Sequence, residues 1–180
     1  MTLSGDIILR NSLWNDAEDK LCHNFIFERM VDLFIVACSI GVKEDKILEN
    51  DIFDDDKPKS IGRNTYLIKN EDLTTIITFL YQNAVLNSKL IDFDNETRLR
   101  LAFDPDFPDA GSKIQFSPTA FLVKFASYGL SKIYEMQNTS DITFIADLKE
   151  MLDSMLLKDY DAFIEELENE INEFEKKNIK

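Results

Sequence analysis

Three aspartates within six residues, Asp104, Asp106 and Asp109, sit in the turn-rich stretch Asp104-Pro105-Asp106-Phe107-Pro108-Asp109-Ala110-Gly111. Carboxylates this close are what a hard cation such as Mg²⁺ or Mn²⁺ requires, and a metal-dependent nuclease is the chemistry they would serve. The spacing lacks the further alternating ligand, central glycine and distal glutamate of a calcium loop, so a solvated proline-rich loop explains the residues as they stand. Asp54, Asp55 and Asp56 are adjacent acids that repel one another unless a fold draws them together. The single histidine, His23, follows Cys22, and neighbours on a helix point about 100° apart, which is a poor arrangement for activating a thiolate. No GxxxxGK[ST] or GxGxxG occurs, and Ser60-Ile61-Gly62-Arg63 is too short to cradle a phosphate. The expectation is a protein with no catalytic residues, no cofactor and no metal.

Charge points the same way. The chain carries a formal net charge of −14, and between Glu135 and Glu175 thirteen acids face only Lys149 and Lys158. Apolar residues recur through this acidic stretch at helical spacing: Ile145, Leu148, Leu152 and Leu156, then Ile164, Leu167, Ile171 and Phe174. The second set repeats as 3-4-3, a coiled-coil seam over two heptads, too short to stand alone. It must dock on its own bundle or on another chain. The candidate partner-binding residues are therefore Ile164, Leu167, Ile171 and Phe174, with Glu165, Glu168 and Glu175 as a charged rim; packing on the chain's own bundle accounts for the same pattern. An anionic surface argues against direct contact with nucleic acid phosphates. Lys89, Arg98 and Arg100, interrupted by Asp92, Asp94 and Glu96, read as a solvated helix face. Self-association is compatible with the pattern.

The elements that would carry these residues are mostly helical. Ile7 to Arg10 fits a short edge strand or an extended tail, and Trp14 to Leu21 a short helix. From Asn24 to Ile40, the residues Ile26, Met30, Leu33, Phe34, Ala37 and Ile40 form one stripe, and Gly41 stands where a helix would end. Ile61 to Ile68 reads as extended. Asn70 is placed to cap a helix with Leu73, Ile76, Ile77, Leu80 and Ala84 as its core stripe. Asn95 to Phe103 is a further helix. Ser117-Pro118 opens another that runs to about Gln137, with Phe121, Leu122, Phe125, Leu130, Ile133 and Tyr134 apolar. Gly129 inside it costs about 1 kcal/mol relative to alanine, which a close helix crossing would explain. The phenylalanines Phe25, Phe27, Phe34, Phe79, Phe121, Phe125, Phe163 and Phe174 are expected mostly in the core.

With five Gly and four Pro among 180 residues, the fold class expected is all-α, a helical bundle of five to seven helices with room for a short N-terminal strand. Residues 1–138 are expected to form the helical core domain and 139–180 an acidic amphipathic segment packed on the core or on a partner. Cys22 and Cys38 lie apart on apolar patterns and read as reduced thiols. No run of eighteen apolar residues is present and the start lacks a basic leader, so a cytoplasmic protein without a membrane partner is expected.

Three segments carry a resemblance: Arg29-Met30-Val31-Asp32-Leu33-Phe34-Ile35-Val36-Ala37-Cys38-Ser39-Ile40-Gly41-Val42-Lys43, then Leu73 to Ala84, then Phe125-Ala126-Ser127-Tyr128-Gly129-Leu130-Ser131-Lys132-Ile133. In order, they resemble the helices of a small family of Dnd (DNA phosphorothioation) system-associated proteins. The acidic segment after Asn138 and the Asp104 to Gly111 loop depart from that family. The resemblance implies a non-enzymatic accessory subunit of a prokaryotic antiphage, restriction-type system that docks on a larger ATPase or nuclease subunit, and it brings no catalytic residues. An acidic DNA mimic that inhibits a nucleic-acid enzyme is the alternative, followed by the metal-dependent nuclease. A ribbon-helix-helix DNA reader ranks last, because Ile7-Ile8-Leu9 offers almost no polar side chain to a groove.

Overall fold

The computed structural model describes residues 5–22, 27–49, 58–68, 71–104, 106–108, 114–137 and 144–154. The fold is an all-α bundle with one short two-stranded sheet. The chain divides into two compact units, Met1–Glu135 and Met136–Lys180.

In the first unit, strand β1 (Ile7–Leu9) pairs antiparallel with β2 (Lys59–Ile61), Ile7 opposite Ile61 and Leu9 opposite Lys59. Ile7, Leu9 and Ile61 are buried while Ser60 is exposed, the period-two alternation of a sheet with one covered face. The extended reading of Ile61 to Ile68 holds only for its first residue. Asn64–Ile68 winds into a single π turn, entered through a hydrogen bond from Thr65 N to Gly62 O at 2.9 Å. Coiling there puts the Tyr66 ring in the core and lets its hydroxyl donate to the Gly5 carbonyl. A tertiary demand thus overrides the strand preference of Thr, Tyr, Leu and Ile. Trp14 closes a 3₁₀ turn, Ser12–Trp14, and Glu18–Cys22 forms a π turn in place of the regular short helix expected.

Helix α1 spans Met30–Glu44. It begins later than the apolar stripe suggested; Asn24 and Ile26 lie outside the described residues. It also runs on past Gly41. The left-handed residue that ends it is Asp45 (φ 49°, ψ 48°), whose N–H donates to Gly41 O and Val42 O. Gly41 is needed for another reason. A Cβ there would fall 2.7 Å from the carbonyl carbon of Phe125 on helix α4 (Pro118–Gln137), and a Cβ on Gly129 would fall 2.6 Å from that of Ala37. The two glycines let the backbones of α1 and α4 touch, which is the close crossing expected at Gly129.

Around that crossing the core stripes meet. Leu33, Phe34, Ala37 and Ile40 of α1 are buried, as are Phe121, Leu122, Phe125, Leu130 and Ile133 of α4. Trp14 is fully buried against Phe34, ring centroids 6.2 Å apart, and its indole N–H donates to the buried Ser127 Oγ at 3.0 Å. A chain of ring contacts runs from Tyr81 through Phe116 to Phe121 and Phe125, with Phe93 edge-on to Phe116. Burial of these rings against one another removes large apolar areas from water and fixes their orientation.

In the second unit, residues 144–154 are helical. Phe144 is buried, Leu148 and Leu152 are partly covered, and Ile145 is 55% exposed. The inward residue is thus Phe144, and Ile145 does not belong to the covered stripe.

Candidate docking surface

Helix α2 (Glu71–Asn87) and helix α3 (Asn95–Phe103) form a hairpin. Its antiparallel register is written in its hydrogen bonds. Arg98 on α3 reaches the carbonyls of Val85, Leu86 and Ser88, whereas Leu101 O and Ala102 O accept from the Tyr81 hydroxyl at 3.0 Å and the Gln82 amide at 3.3 Å. Arg98 also donates to Ile91 O at 2.6 Å and to Phe93 O at 2.9 Å. A guanidinium is the side chain suited to this, with five N–H donors and a positive charge facing the negative end of α2. Arg98 is therefore a structural clamp, and the solvated-face reading of it is wrong. Asp94 caps α3 through Thr97 N at 2.7 Å, and that bond holds its carboxyl below the usual carboxylate range.

The clamp presents an outer surface that is apolar. Among the described residues, the exposed large hydrophobic side chains are Ile76, Phe79, Leu90, Leu99, Phe103 and Ile145. All but Ile145 lie on the hairpin or its turn. Phe79 is 63% and Phe103 56% exposed. Phe79 stands one turn before Gln82, whose amide bonds the carbonyl next to Phe103, so the two phenylalanines flank one contact. Ile76 continues the row one turn before Phe79, and Leu99 one turn before Phe103. Ile76, Phe79, Leu99 and Phe103 leave roughly 400 Å² of apolar surface in water, the scale of the largest patch on a typical monomer.

The α2 side of this face is free of charge, whereas α3 carries the exposed Glu96 and Arg100 beside Leu99. From Leu73 to Ser88, sixteen residues pass without an Asp, Glu, Lys or Arg, in a chain that is 30% charged. The polar side chains at its edge are Thr75, Asn83 and Asn87. Arg100 is drawn aside by Asp104, 3.5 Å away, and stacks over Phe107 at 4.1 Å from the ring centre. Sequence reasoning placed Ile76 and Phe79 in the core. The signal that finds them is the conjunction of an uncharged helix with apolar residues all round it, since one helix cannot bury both faces against a single layer.

The other candidates resolve differently. Asp104 accepts from Asp106 N at 3.0 Å and pairs with Arg100, so its carboxylate shapes the loop; Asp109 lies outside the described residues. No group of three metal-ligating side chains occurs among the described residues. Asp54, Asp55, Asp56 and His23 lie outside them. Cys38 is buried with its thiol 3.9 Å from Leu122 O, and burial pushes its pKa far up; burial also raises Cys22. Neither is poised as a nucleophile. At the end of α1, Glu44 accepts from the Tyr128 hydroxyl at 2.7 Å, with Lys46 and Lys132 near the same ring. Lys46 pairs with Glu44 and Lys132 with Glu135, which leaves a neutralised cluster at the end of α1.

The seam residues Ile164, Leu167, Ile171 and Phe174 and the rim Glu165, Glu168 and Glu175 lie outside the described residues, as does Leu156. No helix among the described residues is long and apolar enough to cross a membrane. No family model, no curated protein and no solved structure matches this chain.

Proposed function

We propose that this protein is a non-catalytic docking subunit, built to be buried in a larger assembly rather than to transform a substrate. The observation that carries the reading is the exposed apolar α2–α3 face, uncharged along α2, where Ile76, Phe79, Leu99 and Phe103 stand in water. Interface cores are depleted in charge and enriched in aromatic residues, and this face has that composition. The acidic C-terminal segment adds a second means of engagement. Its carboxylates would steer encounter with a basic partner, and its apolar seam would hold the complex. The resemblance of three segments to Dnd system-associated proteins supplies the setting: a cytoplasmic, prokaryotic antiphage system whose larger ATPase or nuclease subunit is the partner.

The test is co-purification of the tagged protein from its native host together with the products of neighbouring genes. The intact chain should carry a larger subunit with it. Phe79→Glu with Phe103→Glu, and separately a truncation after Asn138, should each diminish that yield. Retention of every complex by both variants would end the docking account, as would DNA cleavage by the purified protein. Displacement of the partner by added DNA would favour the DNA-mimic alternative over docking.

A further inference from the structure

We infer that the α2–α3 face pairs with the same face of a second copy of this chain, making the protein a two-fold dimer. The inference deepens the docking reading by naming the occupant of this one surface, and it leaves the acidic segment to the larger partner.

Charge distinguishes a second copy from other occupants. Two molecules of net charge −14 repel wherever their acidic surfaces meet, and like charges brought together at an interface suppress association. The stretch from Leu73 to Ser88 is where two copies can approach without that penalty. A basic heterologous partner would be drawn instead to the carboxylates elsewhere on the chain.

Geometry agrees. If two α2 helices pack antiparallel about a two-fold axis beside Phe79, Phe79 meets its counterpart, and Ile76, which lies about 60° round the helix from Phe79 on the flank away from Gln82, falls beside Asn83 of the second copy. Gln82 adjoins Phe103 through Ala102 O. The Gln82 flank with Phe103 stays on one side of the axis in both copies, so Phe103 approaches its own counterpart and the contact is isologous. The nearest described acids on α2, Asp72 and its copy, end about 20 Å apart at the helical rise per residue. The four apolar side chains supply roughly half of the ~800 Å² that each partner contributes to a standard interface, and Thr75, Asn83 and Asn87 provide an uncharged rim.

The experiment is sedimentation equilibrium of the full chain from low to high micromolar concentration, at low and at high salt. The expected species has twice the 20.9 kDa chain mass, and salt tightens it by screening the acidic surfaces. Phe79→Glu should give a monomer at every concentration while Trp14 fluorescence and helical circular dichroism stay as in the parent. Ile145→Glu, which alters an exposed apolar residue of the second unit, should leave the dimer intact. A Phe79→Cys variant on a Cys22→Ser background should form a disulfide-linked dimer under mild oxidation. A parent chain that stays monomeric throughout overturns the inference, and so does a folded Phe79→Glu variant that remains dimeric. A monomer that still captures a larger subunit through this face would sink the dimer but spare the docking reading. A dimer that captures nothing would do the reverse.

Discussion

Replacing Gly129 with alanine adds one methyl group at the point where α4 lies on α1, and two opposing terms decide its effect. In an isolated helix the change favours folding by about 1 kcal/mol, because glycine is the poorer helix former. Here the added Cβ would lie 2.6 Å from the carbonyl carbon of Ala37, where non-bonded carbons want about 3.5 Å. Backbone cannot rotate away as a side chain tip can, and the Ala37 carbonyl oxygen lies nearer still, so the helices must part by about 1 Å or more. A gap of that size forfeits a quarter to a half of each contact it opens. The packing around Phe34, Phe125 and Ile133 then loosens, with an overpacking cost of about 3 kcal/mol, at the upper end of the usual range. The net expectation is destabilisation by about 2 kcal/mol, which moves the urea midpoint down by about 1 M for a chain of this size. Trp14 reports the transition directly, since it is the only tryptophan and bonds Ser127, two residues away. Gly62→Ala is the control: its Cβ would meet nothing nearer than Thr65 Oγ1 at 4.0 Å. A Gly129→Ala midpoint equal to or above the parent's would refute the argument that this glycine serves the crossing.

Ser127→Ala removes the acceptor of the Trp14 indole N–H and leaves a buried donor unpaired, so it should cost about 2 kcal/mol in urea unfolding and shift the tryptophan emission. Arg98→Lys keeps the charge but cannot bridge five carbonyls; we expect a loss of about 3 kcal/mol and faster amide exchange at Leu86 to Phe93, and an unchanged exchange pattern would contradict the clamp. The Tyr128 hydroxyl, more than Lys46 and Lys132, holds the Glu44 carboxyl below its ordinary range. Because the folded value is depressed, the stabilisation is present above the ordinary carboxylate range and is lost as pH falls through the folded value. Tyr128→Phe should therefore raise the Glu44 pKa in a carbon-13 titration and weaken this acid-side loss, and an unmoved titration would show that the hydroxyl is not the cause.

Local chemistry made several boundaries readable from the chain alone. Ser117-Pro118 marks the start of α4, and the first and last residues of α3 fall at Asn95 and Phe103 as its composition suggests. Gly129 announced its crossing because a mid-helix glycine needs a reason. Gly41 was harder, because glycine serves equally to end a helix and to let a backbone approach, and only the position of α4 decides between them. Arg98 looked solvated for a similar reason: the carbonyls it binds belong to the end of α2 and the turn after it, whose path is not written in the residues around Arg98. Ile76 reads as core because residues 73, 76, 77, 80 and 84 share one arc of about 100° with Ile76 at its edge, and Phe79 because a phenylalanine is expected inside; spacing alone does not say how much of the helix the rest of the unit covers. The uncharged run from Leu73 to Ser88 was visible throughout, and its meaning emerges only once the inner face is seen to be filled by other residues.

The most direct test of an assembly surface is to ask whether water reaches it. Hydroxyl-radical footprinting of Phe79 and Phe103, read by mass spectrometry, should show both rings oxidised readily in dilute purified protein. In the assembled state, at high concentration or in the complex from the native host, both should be protected while Ile145 stays reactive. Rings that react equally in the dilute and assembled states would contradict the account.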